Sequence, residues 1–275
     1  MDQRLYDKCQ NAALEMRKDS LRMSLAAGAS GAHYGGGLSM IEIMDVLYLA
    51  IMKVDAENPF DESRDRFILS KGHGVLGLYA ALKQVGFVIE ADLDTFKTHD
   101  TFLYGHPSMN IPKGIEFSSG SLGQGLSLGV GSCLALQRKG NTTSRVYVLM
   151  GDGECNEGSV WEAAASAAHY HLGQLIAIID KNGLQYDGET KNVLSMDNLE
   201  EKWRSFGWDT VVVDGHSIDQ LYNAFTKEHD KPLAIIANTV KGKGISFMEN
   251  NPLWHHSKLT SKQHEDAVKE LEVMT

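Results

Sequence analysis

Cysteine is scarce in this sequence. There are three in 275 residues, Cys9, Cys133 and Cys155, and no two lie at short spacing. An odd number so placed builds neither a disulfide framework nor a zinc ribbon, and it points to a reducing compartment, the cytoplasm. Cys155 follows closely on Gly151-Asp152-Gly153 and could be a reactive thiol, although a small buried hydrophobe is the commoner role. Basic charge is short as well. The formal net charge is −10, which excludes a nucleic-acid surface but not a local basic pocket. No apolar run reaches the roughly 20 residues that a spanning helix needs. The opening Met1-Asp2-Gln3-Arg4 leads into charged residues with no signal-peptide core. No low-complexity linker or internal repeat divides the chain. The expectation is one domain over 1–275, with a loop and terminal helix from about 241–275.

Glycine and histidine, by contrast, are plentiful, with 27 and 11 residues, and many sit where apolar runs stop. The run Arg145 to Met150 reads as a buried strand and ends in Gly151-Asp152-Gly153. Leu175 to Asp180 reads as another and ends in Asn182-Gly183. The Ala-rich stretch between them, 157–170, reads as a helix. Short apolar strands flanking a helix predict a parallel pair, which brings Asp152 and Asn182 to one edge of the sheet. A carboxylate and an amide oxygen on Gly-flanked turns suit Mg²⁺, a hard cation that also grips phosphate. The same Gly-Asp-Gly pattern also occurs as mere punctuation between strands and helices.

Three further strands are predicted, at 67–69, 208–213 and 233–238. Helices are predicted over 2–27, 75–85, 126–135 and 218–225. The segment 28–37 carries five glycines and His33, and predicts an irregular loop. Ser39 and Glu42 read as a capping box for a helix over 40–52, apolar nearly all round, which belongs in the core or under a partner. Thr260 and Gln263 read as a second box, for the charged terminal helix. The overall expectation is an α/β fold, a parallel central sheet with helices on both faces.

The loops at the presumed strand ends carry His33, His73, His106, residues 120–125, Asp152, Asn182 and His255. Four histidines beside glycines predict a polar cavity whose imidazoles meet hydroxyls or phosphate. The Gly-rich segment 119–125 opens a helix, an arrangement friendly to anions.

Taken together, Arg64-Asp65-Arg66-Phe67-Ile68-Leu69-Ser70-Lys71-Gly72-His73-Gly74, Gly105-His106-Pro107, Gly120-Ser121-Leu122-Gly123-Gln124-Gly125 and Gly151-Asp152-Gly153 with Asn182 resemble the transketolase family in the same order. The resemblance runs from about residue 10 to 256. It covers the diphosphate-binding domain, the N-terminal third to half of a full-length transketolase. The chain therefore resembles the N-terminal subunit of a split transketolase with the thiamine-diphosphate-binding fold. The resemblance implies thiamine diphosphate as cofactor, with Mg²⁺ (or Ca²⁺ or Mn²⁺ in its place) held by Asp152, Asn182 and the Leu184 carbonyl. It places Gly151 and Gly153 at the diphosphate, and His73 and His255 near both the diphosphate and the reacting carbon. Gly120, Leu122 and Gly123 would touch the aminopyrimidine. His33 and His106 would contact donor-sugar hydroxyls. Glu157 matches a glutamate at the subunit interface.

Two departures stand out. Ala32-His33-Tyr34-Gly35 replaces the family's Gly-His-Pro-Gly, and either His255 or His256 is the functional imidazole near the end, with Trp254-His255 the better fit. The implied activity moves a two-carbon ketol unit from a ketose, expected to be phosphorylated, to an aldose. The glutamate that activates the cofactor belongs to a pyrimidine-binding domain outside this sequence. A C-terminal transketolase subunit is therefore the implied partner, in a heterotetramer, with the 40–52 helix and the Glu157 region as candidate contacts. Two other readings are the metal-binding subunit of a 2-oxo acid dehydrogenase and a non-catalytic diphosphate-binding module. The histidine loops speak against the first, and the paired Asp152 and Asn182 against the second.

Overall fold

The computed structural model describes residues 1–273; residues 274–275, the end of the expected terminal helix, lie outside the described residues. Five short runs of aliphatic and β-branched residues form strands. They are β1 (Arg66–Leu69), β2 (Val146–Gly151), β3 (Leu175–Lys181), β4 (Asp209–Asp214) and β5 (Leu233–Asn238). They form one sheet in the order β1-β2-β3-β5-β4, with every neighbouring pair parallel. Alternate residues point to opposite faces, as the two-residue period of a strand requires. Phe67, Leu69, Tyr147, Leu149, Ile176, Ile178 and Ile235 join the core on one face. Ile68, Val148, Met150, Ala177, Ile179 and Ile236 join the core on the other.

Helices cover both faces. On the first lie Gln3–Ala26, Ile41–Val46, Val75–Gln84 and Ile218–Thr226; on the second lie Gly125–Arg138, Gly158–His169 and Leu199–Ser205. The second layer packs through small residues. A Cβ on Gly129 would stand 2.7 Å from Val148 and 3.0 Å from Leu175, so this glycine sets how closely its helix approaches β2 and β3. Because the strands are parallel, the segments after β1, β2, β3 and β5 emerge at one edge, where open α/β sheets bind ligands.

Several local expectations are met. The long first helix is capped by the Asp2 carboxylate, which accepts from Leu5 N–H at 2.8 Å. Thr260 and Gln263 exchange the bonds of a capping box at 3.1 and 3.2 Å. Others are corrected. The glycine-rich segment 28–37 is not an irregular loop throughout, since Tyr34–Leu38 is a buried helical turn. Its glycines serve close approach: a Cβ on Gly35 would meet the Lys241 stem at 2.7 Å and one on Gly36 would meet His73 at 2.9 Å.

Ser39 and Glu42 form no capping box. Ser39 instead donates to Asp180 at 2.5 Å, and Glu42 binds Arg17 and His216 at 2.6 and 2.9 Å. The expected 40–52 helix is α-helical over Ile41–Val46 and then widens into a π-helical turn over Leu47–Ile51. Met40 through Tyr48 are buried within this chain, so that stretch is core rather than a docking face. Two helices, Thr190–Leu194 and Leu199–Ser205, go beyond those expected from the sequence.

Two glycines of the helix Gly125–Arg138 make opposite predictions. Gly129→Ala should destabilise the protein by about 1–3 kcal/mol through overpacking. A Cβ on Gly131 would have no atom within 4 Å, so Gly131→Ala should stabilise by up to about 1 kcal/mol through helix propensity. Urea denaturation midpoints of the two variants check both signs.

Candidate active site

The floor of the site is a buried ion pair. Lys71, just after β1, donates to Asp180 near the end of β3, and both side chains are almost wholly buried. Lys71 also donates to the Gly36 carbonyl at 2.6 Å, while Asp180 accepts from Ser39 and from Thr239, which follows β5. Burial acts to raise the Asp180 pKa, but the Lys71 charge and these hydrogen bonds outweigh it and hold the carboxyl below its usual range.

Beside this floor lies a cavity of about 430 Å³ whose walls include Gly36, Lys71, His73, Leu122, residues 151–154, Asn182, Leu184, Lys241 and His255. Asp152 is 4% exposed and accepts from Gly153 N–H, Gly183 N–H and Thr190 Oγ1 at 2.9, 2.9 and 3.2 Å. Among the described residues no ion pair joins it to a Lys, Arg or His side chain. Burial and then the nearby Asp180 charge push its pKa upward. It is a buried carboxylate short of positive charge.

Asn182 Oδ1 accepts from Leu184 N–H at 3.1 Å, and the Leu184 carbonyl accepts from the Lys241 ammonium at 2.8 Å. Burial, with the Lys71 charge behind it, lowers the Lys241 ammonium to about 8. A second hollow, about 440 Å³, borders the 182–184 turn beside Glu189, Lys191 and Asp197, and none of the imidazoles lines it.

The Gly-rich segment is held from below by Glu154. This buried carboxyl accepts from Gly123 N–H at 2.8 Å and Gly151 N–H at 3.1 Å, and also from Ser70 Oγ. Gly123 has φ +81°, and a Cβ there would stand 2.7 Å from Glu157. That position requires glycine. Leu122 and the exposed Glu157 line the cavity. Gly120 packs against the His106 ring, 3.6 Å from where its Cβ would be. Cys155 is wholly buried, and burial raises its thiol well above the usual range, so it is not a nucleophile at neutral pH.

Five imidazoles cluster beside the cavity, and two of them line it. His33 is their hub, with ring centroids 5.5 Å from His73, 5.7 Å from His106, 5.5 Å from His255 and 4.5 Å from His256. His73 and His255 stand 5.3 Å apart and line the cavity; His106 and His256 are more exposed. Lys241 donates to His255 Nδ1 at 3.0 Å. Burial lowers His33 to about 3 and His255 to about 4, with neighbouring imidazoles and lysines adding to the effect. His73, His106 and His256 move the same way. The cluster is therefore neutral near pH 7, able to donate and accept at hydroxyls without carrying charge.

All the residues singled out in the sequence lie around this edge. Lys71, Glu154, Asp180 and Lys241 join them without having stood out there. Lys71 belongs to one of the family-like motifs, and Lys241 precedes a glycine shortly after a strand; only their partners reveal what they hold.

Two outcomes test this description. Asp180→Ala leaves the Lys71 ammonium buried without a counter-charge and should cost about 3–5 kcal/mol, read as a shift of the urea midpoint. The histidines set a pH dependence. Unfolded imidazoles bind protons near pH 6.5, whereas His33 and His255 in the folded chain bind them only at about 3 and about 4. Between pH 4 and 6.5 the unfolded chain thus holds more protons, and stability falls as the pH drops through that window. Urea titrations at pH 7.5 and 5 should show the fall, and His33→Gln should flatten it.

The family model described as "Transketolase, thiamine diphosphate binding domain" matches residues 11–273. An apulose-4-phosphate transketolase subunit from Phocaeicola vulgatus is 40% identical over 264 residues, 94% of this chain and 93% of that one. A 6-deoxy-6-sulfo-D-fructose transketolase subunit of a Clostridium species is 43% identical over 243 residues, 87% of this chain and 88% of that one. Human transketolase is 37% identical over 272 residues, which are 98% of this chain but 43% of the human one. The crystal structure of transketolase from Campylobacter jejuni superimposes with a TM-score of 0.87 at 27% identity, covering 99% of this chain and 43% of that enzyme. The chain thus spans under half of a full-length transketolase and nearly all of the separate subunits. It belongs to the transketolase family and spans that family's thiamine diphosphate-binding domain.

Proposed function

We propose that this chain is the diphosphate-binding half of a two-chain transketolase, which moves a two-carbon ketol unit from a ketose to an aldose. The observation that carries the reading is a single cavity with a charge-deficient carboxylate, Asp152, on one wall and neutral imidazoles, His73 and His255, on another. The donor set fits the group. Asp152, the Asn182 amide oxygen and the Leu184 carbonyl are oxygen ligands of the kind Mg²⁺ takes, with phosphate oxygens completing its shell. Lys71 and Lys241 add positive charge to the same cavity, which suits a diphosphate. Bound thiamine diphosphate supplies the electron sink for breaking and making the carbon–carbon bond.

The chain's own residues do the rest. Leu122 and Gly123, held by Glu154, form the surface for the aminopyrimidine. His73 and His255 hold or move protons at the reacting oxygens. His33 and His106 bind donor hydroxyls. The rim of the cavity is apolar and exposed at Leu122, Tyr186, Val193 and Leu194, as a surface covered by a second chain would be. That partner is a C-terminal transketolase subunit with the pyrimidine-binding domain and the activating glutamate, joined in a cytoplasmic heterotetramer. The donor is a phosphorylated or otherwise anionic ketose.

Asp152→Ala in the assembled complex should weaken Mg²⁺-dependent binding of thiamine diphosphate at least about 10–100-fold, measured by calorimetry. Unchanged affinity would make the turn purely structural. The isolated wild-type chain, given cofactor and Mg²⁺, should show no turnover, and robust ketol transfer without the partner would refute the two-chain reading.

A further inference from the structure

His256 belongs to the imidazole cluster but has so far been given no chemical role, and long-range contacts fix its position. Ala32 and Ser257 form an antiparallel bridge and exchange both backbone hydrogen bonds, at 2.9 and 3.1 Å. The residues next to this bridge are His33 and His256, and their rings meet. Their ring centroids stand 4.5 Å apart, the shortest spacing in the cluster, at an interplanar angle of 66°.

Both segments flanking the bridge are anchored. Buried Tyr34 and Trp254 stack edge to face at 5.2 Å. Lys97 donates to the Ser30 and Gly31 carbonyls at 3.0 and 2.8 Å. Gly31 has φ +60°, and a Cβ there would lie 2.4 Å from the Ser257 carbonyl, so the backbones approach as closely as glycine permits. The imidazole pair is a built feature, set by long-range contacts on both sides.

The pair also has a direction. His73 and His255 line the cavity, whereas His33, His106 and His256 do not. His33 touches the two inner rings and both outer ones. A sugar chain running outward from the cavity would pass His33 before it reaches His256. Burial and the nearby Lys97 and His106 keep His256 uncharged near neutral pH. A neutral imidazole offers one donor and one acceptor, the complement of a hydroxyl. Two of them side by side match two hydroxyls of a polyol chain.

We propose that His256 acts with His33 as a reader of successive donor hydroxyls, and is a specificity-determining residue for the sugar beyond its reacting carbons. The inference rests on the transketolase reading above. It assigns His255 and His256 different roles: the first serves the cavity and the second the outer part of the donor.

The test uses the complex of this chain with its partner subunit, thiamine diphosphate and Mg²⁺. The long donor is whichever the wild type turns over fastest among D-xylulose 5-phosphate, D-fructose 6-phosphate and 6-deoxy-6-sulfo-D-fructose. The short donor is hydroxypyruvate, which has no hydroxyl beyond its reacting carbons. His256→Ala should lower the ratio of kcat/KM for long over short donor by about five- to tenfold, the size of one or two lost neutral hydrogen bonds. The loss should appear in KM rather than kcat, and His256→Gln, which keeps a donor and an acceptor, should recover part of it. An unchanged ratio, or an equal loss for both donors in a variant whose thermal melt is unaltered, overturns the role of His256. A wild-type complex inactive with every donor, hydroxypyruvate included, overturns instead the transketolase reading on which it rests.

Discussion

The cavity edge of this domain hangs on one buried ion pair, Lys71 with Asp180. Lys71 follows β1 and Asp180 lies in β3, so the pair reaches across the end of β2 between them. Two charges taken out of water cost more than their attraction returns unless every remaining donor and acceptor is satisfied. Here Ser39, Thr239 and the Gly36 carbonyl supply those bonds. They come from separate stretches of the chain, so the segments leaving β1, β3 and β5 and the helical turn at 34–38 cannot shift independently. Everything above this floor inherits its rigidity.

Desolvation also sets the chemical character of the cavity. It strips charge from the imidazoles and leaves the Asp152 carboxyl without a cationic partner. The same low-dielectric setting therefore accounts for both the neutral imidazoles and the raised pKa of Asp152. Lys71 and Lys241 complete the balance. The first is neutralised by Asp180, and the second is brought down to about 8 by burial beside it.

The length relationship with full-length transketolases has a structural counterpart. Helices of this chain cover both faces of the sheet, and two cores close without any residue from elsewhere. The cavity, by contrast, opens at a rim that carries exposed Leu122, Tyr186 and Leu194.

The five strands, their parallel pairing and the arrival of Asp152 and Asn182 at one edge were legible in the sequence. So were the histidine loops and the capping box at Thr260. The 40–52 segment read correctly as buried, but its neighbours did not show that it was core. Ser39 read as a helix cap because its local context matched one, whereas its actual partner, Asp180, is 141 residues away. Glu154 and Lys241 carried no periodic signal. Their meaning lies in Gly123 and Gly151 for one, and in Leu184 and His255 for the other. By itself the sequence determined the strands, their common edge and the residue types delivered there, because hydrophobic period and glycine punctuation are local properties. Which of those side chains meet was decided only by the tertiary structure. The Lys71–Asp180 pair joins residues 109 apart and the His33–His256 pair joins opposite ends of the chain, and packing alone brings such residues together.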